Sequence, residues 1–293
     1  MAKNGKIQNS ELILHPDGKI YHLKILPENL ADTIILVGDP GRVEVVSSFF
    51  DTIEFKGQNR EICTHTGTLN NKRLTVLSTG MGTDNIDIVL NELDALVNID
   101  LRERKPKNTH TSLNIVRLGT SGALQADIPL NSFVMSDYGL GIDGLLNFYQ
   151  AKDGVIDHKL TEAFIKQMNW PDSFAKPYAV PASEKLKQMM GKGFVHGITA
   201  TAPGFYGPQG RVLRLGLSYP NINENLNKFN FGNNRIVNFE METSALYGLG
   251  KMLGHETLTI CVAIANRFSH EYNKDYKSAI VELIKLVLNQ ISK

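Results

Sequence analysis

The chain is poor in the residues that staple or anchor a protein. Of 293 residues only two are cysteine, Cys63 and Cys261, and no CxxC or Cys/His grouping surrounds them. Both sit in apolar, strand-like runs and read as buried, reduced thiols, so neither a disulfide framework nor a thiolate metal site is expected. An excess of charge is missing as well: 31 basic and 30 acidic side chains leave a formal charge of +1. That excludes a general pull toward nucleic acid or membrane, and any anion site must be local. No apolar run approaches the roughly 18 residues of a membrane span, and MAKNGKIQNS lacks a signal-peptide core, so a cytoplasmic location is expected. GxGxxG and GxxxxGK[ST] are absent, which argues against dinucleotide and P-loop sites. His15, His65, His110, His158, His196, His255 and His270 show no HxxE, HxH or HExxH spacing, and no metal is expected.

What is present is ordinary for a globular chain: 42% hydrophobic and 21% charged residues. Residues 1–20 are polar and glycine-interrupted, and read as a loose arm. After them, Thr33–Val37, Leu74–Leu77, Leu113–Leu118 and Ser132–Met135 are short, apolar and rich in β-branched residues, which predicts buried strands. Ile86, Val89, Leu90, Leu93 and Val97 form one stripe of a helix over Asp84–Asn98, with Asp84 as its N-cap. Ile280, Leu283, Ile284 and Val287 repeat the pattern near the C-terminus. Alternating strands and helices predict an α/β fold: one three-layer α/β/α domain over residues 21–293 with a central mixed sheet. Asp100–Ser112 and the Asn-rich Tyr219–Arg235 read as surface excursions.

Three predicted strands end in glycine turns: ILVGDPGR, LSTGMGTDN and VRLGTSGAL. In α/β sheets ligands gather at the carboxyl ends of strands, and glycine lets backbone N–H groups approach an anion. Arg42 and Arg117 flank two of these turns, so they and the Thr120 hydroxyl could hold one tetrahedral oxyanion. VNFEMETS offers Glu240 and Glu242, which an extended backbone points to one side. Such a pair serves either acid/base work in glycosidic chemistry or the holding of vicinal hydroxyls. FYGPQGR is either a plain turn cluster or a base pocket. Its Phe205 supplies a flat face, Gln209 an amide that donates and accepts, and Arg211 a fixed cation, which match the edge of a uracil-like ring.

GDPGR, STGMG, RLGTSGAL, FYGPQGR, FEMETSAL and ANR (Ala265–Arg267), in this order, resemble the nucleoside phosphorylase family, and within it the uridine-cleaving branch. The resemblance runs from about Tyr21 to the C-terminus. It implies reversible phosphorolysis of uridine to uracil and ribose 1-phosphate, in pyrimidine salvage. It implies phosphate binding by Gly38, Arg42, Arg117 and Thr120, with Arg60 reaching a neighbouring subunit's phosphate. Glu240, Met241 and Glu242 resemble the ribose strand, Glu242 being the clamp on the 2′- and 3′-hydroxyls. His22 resembles a histidine offered to a partner's 5′-hydroxyl. Phe205, Gln209 and Arg211 resemble the base pocket, and Arg117, Gln209 and Arg211 the groups that act in catalysis. A homo-oligomer with shared sites follows, with phosphate as co-substrate and no cofactor.

The departing base separates the branches. A purine leaves best when an acid serves N7, and purine members resemble one another in an aspartate at the strand end after the carboxylate motif. This chain has Asn266 and Arg267 there, which favours a pyrimidine, whose departing charge asks for donors and positive charge. The alternatives are a purine phosphorylase, a nucleosidase using water, and a non-catalytic nucleoside-binding member. There are departures from the pattern: Thr83–Asp84–Asn85 follow STGMG where bacterial members have Gly-Pro-Ser, and Asp100–Ser112 is long. Glu61 and Ser78 match a pair that holds potassium in some relatives.

Overall fold

The run TIILV forms strand β1 (Thr33–Val37), buried along its whole length, as a strand flanked in parallel on both edges should be. It leads into α1 (Pro40–Ser47), whose N-cap Asp39 accepts from the Gly41 N–H at 2.9 Å. An antiparallel meander follows: β2 (Thr52–Asn59), β3 (Ile62–Leu69) and β4 (Lys72–Ser78), with β4 parallel to β1. Next comes α2 (Thr83–Asn98), with Ile86, Val89, Leu90 and Leu93 wholly buried as the stripe predicts. Its N-cap is Gly82 and not Asp84, which falls in the first turn. Gly82 has φ 101°, a conformation open to glycine and rarely to other residues.

The computed structural model describes residues 5–293; the first four residues of the expected loose arm lie outside them. Residues 7–20 are docked instead of loose. Arg104 donates to the carbonyls of Ile7, Gln8 and Leu12, the Ile7 N–H donates to the Arg104 carbonyl, and Leu12 and Ile20 are buried. Arg104 belongs to the Asp100–Ser112 excursion, which is a small hairpin of β5 (Ile99–Asp100) and β6 (Lys105–Pro106). A polar segment can thus be held by backbone hydrogen bonds that its sequence does not advertise.

The remaining elements are β7 (Asn114–Ala123), β8 (Phe133–Gly141), α3 (His158–Met168), β9 (Tyr178–Pro181), α4 (Glu184–Met190) and β10 (Val195–Thr201). Then come α5 (Ile222–Lys228), β11 (Asn230–Phe231), β12 (Asn234–Glu240), α6 (Thr243–Leu253), β13 (Glu256–Asn266), β14 (Glu271–Tyr272) and α7 (Lys277–Ile291). The Tyr219–Arg235 excursion therefore contains α5 and β11. Cys261 is buried in β13, whereas Cys63 in β3 is only half-buried; both are free.

The fold is α/β with a mixed sheet and, among the described residues, seven α-helices. Its strand order is β11-β12-β10-β8-β13-β7-β1-β4-β3-β2. The sheet does not stay open: β12 also pairs antiparallel with β7 through Asn238–Ala123 and Phe239–Gly122. Strands β12, β10, β8, β13 and β7 thereby close into a small barrel, a feature that short-range periodicity does not encode. β1, β4, β7 and β13 run parallel, so their carboxyl ends emerge on one side. Among the described residues no helix is long and apolar enough to cross a membrane.

Candidate active site

The carboxyl ends of β1, β4, β7, β12 and β13 surround one cleft of about 890 Å³. Eleven of the thirteen expected site residues line it: Gly38, Arg42, Arg117, Thr120, Phe205, Gln209, Arg211, Glu240, Met241, Glu242 and Arg267. The first two glycine turns are stitched together, with the Thr79 N–H donating to Val37 O at 2.8 Å and the Gly80 N–H to Gly38 O at 3.1 Å. Arg42, in the first turn of α1, is half-buried and has no carboxylate partner among the described residues; it reaches the Leu118 carbonyl at 3.4 Å. Burial, and next the Arg117 charge, hold its pKa below the ordinary guanidinium value.

Arg117 and the two glutamates form a buried triad. Arg117 Nη2 donates to Glu242, and Nη1 lies 3.4 Å from Glu240 Oε2 and 3.6 Å from Cys261 Sγ. Its Nε–H is buried with no hydrogen-bond partner among the described residues. Burial opposes the Arg117 charge, but Glu242 and Glu240 outweigh it and keep the group above its usual pKa. The glutamates do not present one extended face, because Glu242 sits at φ −137°, ψ −30° as the N-cap of α6. Glu240 is spent on structure: it accepts from the Glu242 N–H (2.9 Å), the Thr243 N–H and the Thr201 hydroxyl (2.7 Å). Burial pushes the Glu240 carboxyl up to about 7; Arg117 opposes that shift and Glu242 adds to it. Glu242 is anchored by the Gly82 N–H at 2.8 Å. Sequence reasoning missed Gly82 and Thr201, whose roles depend on chain reversals distant in sequence.

FYGPQGR forms a 3-10 turn over Gly207–Gln209. Arg211 lies over the Phe205 ring, 3.6 Å from guanidinium carbon to centroid, and donates to Gln209 Oε1 at 2.7 Å. Arg267 Nη2 donates to the Gln209 carbonyl at 2.8 Å. Burial, then repulsion from Arg267, draws Arg211 down to about 10. Arg42, which has no carboxylate partner among the described residues, and Arg211 beside Arg267 thus put positive charge at two places in one cleft, whereas Arg117 is offset by its two glutamates. Asn266 lines the cleft too, but its side chain is committed: Nδ2 donates to Gln125 O and Ile128 O, and Oδ1 accepts from the Phe268 and Ser269 N–H groups.

His22 and Arg60 do not line this chain's cleft. They sit together elsewhere: Asn59 Nδ2 donates to the His22 carbonyl at 2.9 Å, and Arg60 approaches the Tyr21 ring at 5.9 Å. Ser78 Oγ, matched above to a potassium ligand, donates to Glu61 O at 2.6 Å and accepts from the Cys63 N–H at 2.8 Å. One cluster of metal-ligating types exists among the described residues: Asp94, His110 and His255. There the Leu113 N–H donates to His255 Nδ1 at 3.2 Å, so the ring proton is on Nε2, 3.3 Å from Asp94. That nitrogen is buried and makes no hydrogen bond among the described residues.

Comparison with known proteins agrees with this geometry. Residues 32–291 match the profile of the Phosphorylase superfamily. The uridine phosphorylase of Thermococcus kodakarensis is 29% identical over 277 residues, covering 92% of this chain and 87% of its own. A DeoD-type purine nucleoside phosphorylase of Bacillus velezensis is 24% identical over 92% of this chain and 99% of its own. The crystal structure of a Trypanosoma brucei nucleoside phosphorylase, described as showing uridine phosphorylase activity, superposes with TM-score 0.84 at 31% identity. It covers 95% of this chain and 98% of that one. A Phytophthora capsici uridine phosphorylase structure shares the fold at TM-score 0.69 and 22% identity, over 98% of each chain. The cleft, the order of its motifs and the match across nearly the whole chain lead to one conclusion: this chain belongs to the Phosphorylase superfamily.

Proposed function

We propose that the protein is a uridine phosphorylase, a pentosyltransferase that converts uridine and phosphate reversibly to uracil and ribose 1-phosphate in cytoplasmic pyrimidine salvage. The observation that carries this reading is the gathering of cations in one cleft: Arg42 beside Arg117, and Arg211 beside Arg267, with burial first and the neighbouring cation second lowering Arg42 and Arg211. A phosphorolysis that releases a pyrimidine needs two anion sites, one for phosphate and one for the base. Phosphate at Arg42, Arg117, Thr120 and the Gly38 turn faces the ribose, with Glu242 on the 2′- and 3′-hydroxyls beside Met241. The C1′–N1 bond breaks, its electron pair moves to the base, and a phosphate oxygen bonds to the oxocarbenium-like C1′. Arg211 and Gln209 take the charge on the uracil edge, Phe205 covers its face, and solvent protonates the released base. The work is positioning and electrostatics, with no side-chain nucleophile.

Residues 21–293 are read as one catalytic domain, with helices layered on the mixed sheet. His22 and Arg60, held together away from this chain's own cleft, are assigned to the cleft of a second copy in a homo-oligomer. Incubation of the purified protein with uridine or inosine, with and without phosphate, tests the proposal. Uracil release from uridine that requires phosphate is expected; phosphate-independent release, or preferred cleavage of inosine, overturns it.

A further inference from the structure

Glu92, a residue of α2 outside the cleft, makes four contacts to one short segment. Its carboxylate accepts from the His22 N–H at 3.0 and 2.9 Å, from the Leu23 N–H at 2.8 Å, and from His22 Nδ1 at 2.6 Å. Both Glu92 oxygens already accept from backbone N–H groups, so in the His22 contact it is the Nδ1 position that carries the proton. The other ring nitrogen, Nε2, is then the atom left to meet a ligand, and the ring plane is fixed by the same carboxylate that fixes the backbone beneath it. The Asn59 side chain adds a further tie, donating to the His22 carbonyl, and the Tyr21 ring packs edge-on against His22 at 4.8 Å. The same helix begins at the Gly82 N–H that holds Glu242. Gly82 and Glu92 lie about 15 Å apart along it at 1.5 Å per residue.

We propose that Glu92 is a positioning residue for the reaction. It orients His22 and fixes its tautomer, so that Nε2 meets the 5′-hydroxyl of a nucleoside bound in a second copy of the chain. Helix α2 thereby links the reader of the 2′- and 3′-hydroxyls in one cleft to the reader of the 5′-hydroxyl in another. This inference rests on the role given to His22 above, and the test separates the two.

Steady-state phosphorolysis of uridine is compared with that of 5′-deoxyuridine, which lacks the group His22 would read. His22→Ala is expected to lower kcat/KM for uridine and leave 5′-deoxyuridine nearly unchanged. Glu92→Gln is expected to do the same, with a loss on the order of tenfold for uridine, the scale of one charge-assisted hydrogen bond. The deoxy substrate reports folding and the phosphate site within the same variant. If His22→Ala fails to discriminate between the substrates, the assignment of His22 falls and this inference with it. If His22→Ala discriminates but Glu92→Gln lowers both substrates equally, or neither, Glu92 is only structural and the inference alone is overturned.

Discussion

Replacing Gly119 by alanine tests the phosphate assignment without touching a charged residue. A methyl group there would lie 2.3 Å from Arg117 Nη1, 3.0 Å from its Cζ and 2.9 Å from Cys261 Sγ. Comfortable contact is about 3.5 Å or more, so the guanidinium must retreat by roughly 1 Å. It has little room, since Arg117 is 4% exposed, Cys261 is 0% exposed, and both carboxylates grip the head group. Gly119 does not use a left-handed φ, so alanine is compatible with the backbone and the effect is steric. Overpacking of this kind destabilises by about 1–3 kcal/mol, a fall of several degrees in melting temperature at roughly 2–4 °C per kcal/mol. A 1 Å misplacement of a catalytic group lowers rate by about 100-fold. The assay is initial-rate phosphorolysis of uridine at varied phosphate, with calorimetry of the same preparation. A folded variant with unchanged kcat and unchanged phosphate saturation would refute the claim that Arg117 holds phosphate.

Two further outcomes follow from the geometry. Asn266→Asp, which restores the aspartate of purine members, is expected to destabilise the fold by about 2–5 kcal/mol and to give no inosine cleavage. Its new acceptor would face the Gln125 and Ile128 carbonyls that Nδ2 now serves; a stable variant that turns over inosine would contradict this. The second concerns pH: burial raises the Glu240 carboxyl from 4.5 to about 7, so the folded chain keeps a proton that the unfolded chain loses. Stability from this group is therefore full below about pH 4.5 and declines as pH rises through about 7. Urea denaturation at about pH 5 and pH 8 should show the wild type losing stability relative to Glu240→Gln as pH rises. An unchanged or reversed difference would count against a buried, proton-holding Glu240.

The local elements were largely legible. TIILV is β1 to the residue, and the α2 stripe is buried from Ile86 to Leu93 and half-buried at Val97. The misreadings share a cause. Asp84 looked like the cap because it is polar and precedes an apolar stripe, but the backbone turns at Gly82 so that its N–H can reach Glu242, far away in sequence. The polar arm looked loose because its partner, Arg104, lies in another polar stretch. Asn266 was legible only as the absence of an aspartate, and its neighbours alone reveal that every polar atom of its side chain is occupied.

The sequence by itself determined the alternation of strands and helices, the membership of the family through ordered motifs, and most of the residue types gathered in the cleft. Those follow from periodicity and from chemistry carried within short segments. Tertiary structure alone decided how the sheet closes through β7 and β12, and that Glu240 is tied to the Glu242 and Thr243 backbone. It also decided that His22 and Arg60 stand apart from the cleft their motifs resemble. Each of these depends on hydrogen bonds and ion pairs between residues remote in the chain, and burial strengthens those interactions only after the chain has brought them together.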